Sequence, residues 1–271
     1  MMKIKLILAA TVLLVLGACG EQEARPDLQL RISLPGPASK VTLGDREADV
    51  FPTLWQAGDV VSLNGALSNP MSAGFAGGTD AAFSFAAFSG SSPYNLLYPG
   101  SAAGTVTLDG KILPMYGSAA GLDQVLQMHH LSCGICIPLS GDITLSSLTL
   151  SAPGDEPVAG VFTPNFSTGA LSAVSATPSL TVAFDTPVAL SDTPVPFYLF
   201  FAPGTFSEGL LLRAQNVAGD ATCTWRFASG NTLSKGKLYL LPETSFSSWD
   251  WADGCSLSLE GMSEEIISIE L

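Results

Sequence analysis

Leu28-Gln29-Leu30-Arg31-Ile32-Ser33-Leu34 places an apolar residue at every second position, and Pro35-Gly36-Pro37 stops the run. Period two marks a strand with one buried and one wet face, because successive side chains of extended backbone point to opposite sides. Further short runs bounded by turn residues follow at Val50 to Trp55, Val60 to Asn64, Ala82 to Phe88, Tyr94 to Tyr98 and Gly104 to Leu113, where Asp109-Gly110 could close a hairpin. A second series runs through Leu126 to Pro138, Ile143 to Leu150, Val158 to Phe162, Leu180 to Phe184, Phe197 to Phe201, Leu210 to Gln215, Thr222 to Phe227 and Lys237 to Leu241. No stretch of ten residues keeps a 3.6-residue apolar period, so the crossover helices of a parallel α/β fold are missing. The fold class is all-β, read as two antiparallel β-sandwich domains in tandem. Residues 114 to 124, rich in small and turn-forming types, read as the linker, which sets the domains at 26–118 and 119–271.

The 271 residues, 47% apolar and 13% charged, can build a real core, and intrinsic disorder is excluded. Asp and Glu number 24 against 11 Lys and Arg, a net charge of −13. No basic face is available to release counterions from a phosphate backbone, so nucleic acid is excluded as a partner. Mean hydropathy is +0.37, yet the longest apolar run, Leu6 to Leu16, falls short of the ~20 residues of a spanning helix.

Lys3 and Lys5, that apolar run and the small residues after it have the order of an export signal. Leu16-Gly17-Ala18-Cys19 matches the lipobox of bacterial lipoproteins. Residues 1–18 are therefore expected to leave as a lipoprotein signal peptide, with Cys19 the lipidated N-terminus and residues 19–25 a tether. Several acyl chains at ~0.8 kcal/mol per buried methylene would anchor the chain to a membrane without a spanning helix.

Motifs of chemistry are sparse. His129-His130-Leu131-Ser132-Cys133-Gly134-Ile135-Cys136 has a spacing that invites zinc, but the segment reads as a strand, in which ligands four and seven residues apart lie ~13 and ~23 Å along the chain. Metal is therefore set aside in favour of an apolar strand with two buried thiols, Cys133 and Cys136 pointing to opposite faces. Outside the cytoplasm, disulfides among Cys133, Cys136, Cys223 and Cys255 have three full pairings, and the sequence does not choose. There is no Gly-x-Ser-x-Gly, no phosphate-loop Lys after Gly74-Phe75-Ala76-Gly77-Gly78-Thr79, and no His-Glu-x-x-His. Asp250-Trp251-Ala252-Asp253-Gly254 offers too few alternating oxygens for a calcium loop. No cofactor is implied, and a non-enzymatic chain is expected. Trp249 and Trp251 share a face if extended, which keeps open an alternative function, a surface-exposed carbohydrate-binding lipoprotein.

Several features in order along the chain resemble the fimbrillin-like lipoproteins of Bacteroidetes, the subunits of lipoprotein-derived pili. Trp55-Gln56-Ala57-Gly58-Asp59-Val60-Val61 looks like their Trp-x-x-Gly-Asp turn before an apolar strand, and Tyr94-Asn95-Leu96-Leu97-Tyr98-Pro99 like their aromatic strand ending in Tyr-Pro. His130-Leu131, the run Phe197 to Gly204 and Lys235-Gly236-Lys237-Leu238-Tyr239 complete the series. Gly20-Glu21-Gln22-Glu23 resembles the tag that sends such lipoproteins to the outer face of the outer membrane.

The resemblance implies two transthyretin-like sandwiches, the first completed by a removable N-terminal strand. It implies a cut between Arg46 and Glu47 by an arginine-specific protease, loss of the strand Leu28 to Leu34, and its replacement by a strand from a neighbouring subunit. Asp45 and Glu47 flank the cut, and acidic neighbours slow trypsin-like cleavage; an uncut chain would keep its lipid and act as an anchor. Ile266, Ile267, Ile269 and Leu271 form a candidate donor strand, whose other reading is the last strand of the second sandwich. The expected partners are other pilus subunits, the lipid of the outer membrane and a ligand on a host or microbial surface. The expected location is the surface of the outer membrane, and the fimbrium after assembly.

Overall fold

The structure, a computed structural model, describes residues 27–34, 42–43, 53–218, 222–227, 229–246, 256–258 and 263–266. Strands dominate, and the described residues hold no helix beyond a 3-10 turn at Ala73–Phe75. The first strand, Leu28–Ser33, lies in the middle of a three-stranded sheet, antiparallel to Asp80–Phe85 and parallel to Leu126–Gln127. Leu30, Ile32 and Leu34 are buried while Gln29 and Arg31 are exposed, which is the alternation written in the sequence. A five-stranded sheet faces it, in the order His129–His130, Met115–Ala119, Tyr94–Tyr98, Ser62–Leu63 and Ala66–Leu67. Between them lies a core built on Trp55, Leu63, Phe83, Phe85, Leu96 and Met115.

The second half stacks two sheets. One runs Ser179–Ala189, Thr144–Ser151, Leu211–Asn216, Thr222–Arg226 and Ser256–Ser258. The other runs Val195–Phe201, Cys133–Gly141, Lys237–Leu240 and Ser263–Ile266. This last sheet is a partition with an apolar residue on each side. Cys133, Ile135, Ile137, Leu139, Phe197, Leu199, Phe201 and Tyr239 face the second core, whereas Cys136, Phe200 and Leu238 belong to the first. A strand buried on both faces needs no polar alternate positions, which is why 133–139 reads as a nearly continuous apolar run. Gly134 makes room on the first-core side, since a Cβ there would come within 2.8 Å of the Phe200 ring and 3.0 Å of Leu238.

Three local expectations change. The run 125–138 is not one strand but three pieces, Leu126–Gln127, His129–His130 and Cys133–Gly141, each paired with a different neighbour. The chain crosses there from one sheet of the first half to the other and then into the partition. Within 114–124, Met115–Ala119 is a strand rather than linker, and Gly117 lets it pass the 127 backbone, where a Cβ would meet the Gln127 carbonyl oxygen at 2.5 Å. Asp109-Gly110 closes no hairpin. Val106–Leu108 pairs instead with Ala159–Pro164 of the second half, around a third cluster of Leu97, Val106, Leu108, Leu131 and Phe162. One strand had no alternating apolar signal: Leu171–Thr177 is an edge strand on Ala159–Pro164, with exposed side chains at six of its seven positions.

Because the partition serves both cores, the halves should unfold together. Ile135→Ala removes a fully buried side chain and should cost about 2–5 kcal/mol, lowering the midpoint of a single urea transition followed by tryptophan fluorescence and circular dichroism. Two separate transitions would show that the halves are energetically independent.

Candidate functional site

The site is the floor beneath the first strand. Leu30, Ile32 and Leu34 drop into a trough that includes Phe83, Phe85, Trp55, Leu126 and Met128. Backbone pairing holds both edges, Leu28 to Ser33 opposite Phe85 to Asp80 on one side and Ile32-Ser33 beside Leu126-Gln127 on the other. The strand's end is tied as well. Leu34 N donates to Thr79 O at 2.9 Å, and Met128 N donates to Ser33 O at 3.1 Å.

The Trp-x-x-Gly-Asp turn forms the end wall. Trp55 is fully buried, its ring edge-on to Phe83 at 4.9 Å and to Tyr98 at 5.5 Å. Its backbone is clasped by the segment that holds Leu34: Trp55 N donates to Gly78 O at 3.0 Å and Gly77 N donates to Trp55 O at 2.9 Å. Gly58 takes φ +90°, which favours glycine, and the chain then turns so that Asp59 points inward. Asp59 Oδ2 accepts from Gln56 N at 2.7 Å and Oδ1 accepts from the Tyr98 hydroxyl at 3.1 Å. Burial, and then the charge and hydrogen bond of Asp59, push the Tyr98 phenol far above its ordinary range, so it stays a donor at any physiological pH. Two motifs some forty residues apart thus close one polar contact under the trough. The contact between Asp59 and Tyr98 was not legible in the sequence, since neither residue alternates or repeats in a way that names its partner.

A second node braces the two halves. Lys235 Nζ donates to Thr168 O at 2.5 Å and to the Tyr116 hydroxyl at 3.2 Å, and lies 5.2 Å from the centre of the Tyr116 ring. His129 stacks tilted on the same ring at 5.5 Å. His130, buried behind it, has neither ring nitrogen hydrogen-bonded among the described residues. Burial and then the neighbouring His129 push its pKa down to about 4.

Cys133 and Cys136 are buried thiols outside any disulfide among the described residues, on opposite faces of the partition as their odd spacing implies, and burial raises the Cys133 pKa. Among the described residues no three His, Cys, Asp or Glu side chains come together as a metal site. Ile266 ends an edge strand, Ser263–Ile266, opposite Lys237. Cys19, Arg46, Glu47, Ile267, Ile269, Leu271, Trp249, Trp251 and Cys255 lie outside the described residues.

Two outcomes are expected from this geometry. Tyr98→Phe leaves a buried Asp59 oxygen without its hydroxyl donor and should lower stability by about 1–3 kcal/mol, read as a shift in the denaturation midpoint. The His130 expectation concerns pH. Above the ordinary value of 6.5 neither state is protonated; between there and about 4 the unfolded chain takes up a proton that the folded chain refuses, so stability falls as pH falls. The loss should approach ~3 kcal/mol by pH 4, and His130→Leu should remove that portion of the wild-type slope when urea midpoints are compared between pH 7 and pH 4.

No family model matches the chain, and no curated protein matches it. Among solved structures, a candidate cell adhesion protein from Bacteroides ovatus superposes with a TM-score of 0.52 at 14% identity, over 91% of this chain and 100% of its own. One from Bacteroides uniformis gives a TM-score of 0.50 at 14% identity, over 89% and 98%. The tip fimbrial protein Mfa3 from Porphyromonas gingivalis, truncated at its C-terminus, gives 0.41 at 9% identity, over 89% and 100%. The two Bacteroides structures carry the fold: this chain is built on the all-β architecture of Bacteroides candidate cell adhesion proteins, as its resemblance to the fimbrillin-like lipoproteins implies.

Proposed function

We propose that the chain is a fimbrillin-like structural subunit, or anchor, of a surface fimbria that assembles by strand exchange and serves cell adhesion, without catalysis of its own. The observation that carries this reading is the place of Leu28–Ser33, a strand that is first in the described chain yet central in its sheet. A cut between Arg46 and Glu47 would sever it from the rest of the fold. Its departure would open two backbone edges at once and expose a trough that had held Leu30, Ile32 and Leu34. Burial of those three side chains is worth roughly 5–9 kcal/mol together, comparable with the whole net stability of a domain. An extended segment from another molecule restores both terms. The fold shared with candidate cell adhesion proteins supports the same reading.

The donor in this proposal is the C-terminus of a second copy or of a related subunit. Ile267-Ser268-Ile269-Glu270-Leu271 repeats the alternation of Leu30-Arg31-Ile32-Ser33-Leu34. Laid antiparallel to Asp80–Phe85, it would put Ile267, Ile269 and Leu271 where Leu30, Ile32 and Leu34 sit. Ile266, on the edge of the second half, stands where the segment would leave its own subunit. Lipid on Cys19, after removal of residues 1–18 and with 19–25 as tether, would hold the precursor at the outer-membrane surface. The two sandwiches would be joined through the partition, with Leu126–Gln127 and His129–His130, which fall within 119–271, paired to sheets of the first.

Arg46→Ala should leave export intact and abolish high-mass polymers on denaturing gels of unheated surface material, and mass spectrometry should then find lipidated Cys19 rather than Glu47 at the N-terminus. Ile269→Lys should leave the cut at Arg46 unchanged and still reduce polymers, because a charge would enter the floor of the groove. Unaltered polymers in either variant would remove that residue from the mechanism.

A further inference from the structure

Between Val60 and Leu108 the chain carries a single charged residue, Asp80, and from Pro157 to Phe184 it carries none. In a protein of net charge −13 these runs make an uncharged region, and they meet at an open cleft of about 470 Å³. One wall comes from the Asn64-Gly65 turn, another from 91–95 and 102–104, and Phe166 of the second half stands across from them. The cleft shares no lining residue with the trough under the first strand.

Hydrogen bonds brace the cleft in advance. Asn64 Oδ1 accepts from Asn95 N at 2.7 Å while Asn64 Nδ2 donates to Ser91 O at 2.9 Å, so one amide ties three segments. Ser62 Oγ accepts from Ser101 N at 3.2 Å and fixes the opposite lip. Other polar groups remain unspent. Asn95 uses its Oδ1 to accept from Ser118 Oγ at 3.0 Å, and among the described residues its Nδ2 and the hydroxyls of Ser91 and Ser92 have no hydrogen-bond partner. A neutral cleft that offers an amide donor and two hydroxyls opposite a half-buried aromatic ring matches one ligand chemistry well. Hydroxyl groups would exchange hydrogen bonds with the amide and serines, and an apolar C–H face would lie on Phe166. We infer that this cleft binds a neutral saccharide. An anionic sugar would find no cation in the lining and an acidic protein around it, so selectivity against acidic glycans follows from the same composition.

The inference does not depend on strand exchange and is tested on the uncut mature chain. Saturation-transfer NMR with the methyl glycosides of glucose, galactose and N-acetylglucosamine should show transfer to at least one neutral sugar, with sialic acid as the anionic comparison. Phe166→Ser should weaken that binding by about tenfold. Ala103→Trp, at an exposed lining position, should abolish it by filling the cleft without touching a core. Absence of transfer from every neutral sugar, stronger binding of sialic acid, or binding that survives both variants would overturn the inference. So would loss on Trp249→Ala or Trp251→Ala with both cleft variants unaffected, which would place the sugar elsewhere.

Discussion

The first strand is held on both edges and along one face, and much of the first half is arranged around that fact. Leu28–Ser33 supplies the middle of its sheet, three apolar side chains of the core and two backbone anchors, at Thr79 and Met128. A strand at the start of a described chain can sit at an edge with little consequence when removed. Here it separates Asp80–Phe85 from Leu126–Gln127, so neither of those strands has the other to fall back on. In the proposed assembly, a cut after Arg46 would therefore uncover two backbone edges and one apolar floor, and the replacing segment would have to be extended, alternating and apolar on one face.

The trough has an end wall of its own. Trp55, wedged edge-on between Phe83 and Tyr98, and the Asp59 contact with Tyr98 hold the end wall in place through residues that are not part of the first strand. The partition sheet backs the same core with Cys136, Phe200 and Leu238. Through it the first half is propped against a second sandwich whose own core is larger and independent of the first strand. In the proposed assembly the second half would supply the C-terminal segment, and none of its core residues comes from the first strand.

Much of this was legible from local pattern. Alternation in 28–34 set strand, burial and facing correctly, because period two has one physical meaning in extended backbone. The odd spacing of Cys133 and Cys136 set their opposite faces for the same reason. Where the reading slipped, the cause was pairing over distance. Leu126 to Pro138 looks continuous because most of it is buried, Gln127 being the exposed exception, although its pieces belong to three different sheet positions. Asp109-Gly110 has hairpin chemistry, yet Val106–Leu108 finds a better partner fifty residues on. Leu171–Thr177 gave no alternation because both its faces are wet beyond Leu171, so no burial pattern was imposed on it.

By itself, then, the amino-acid order determined an all-β chain, its acidic and sparsely charged composition, and a first strand with one greasy face. Those follow from properties of single residues and their near neighbours. Tertiary structure alone decided that this strand is central, that Asp59 meets Tyr98, that one sheet serves two cores, and that three charge-free runs converge on a braced cleft. Each of those is a choice of partner across tens of residues, made by shape complementarity and backbone hydrogen bonding that no local period encodes.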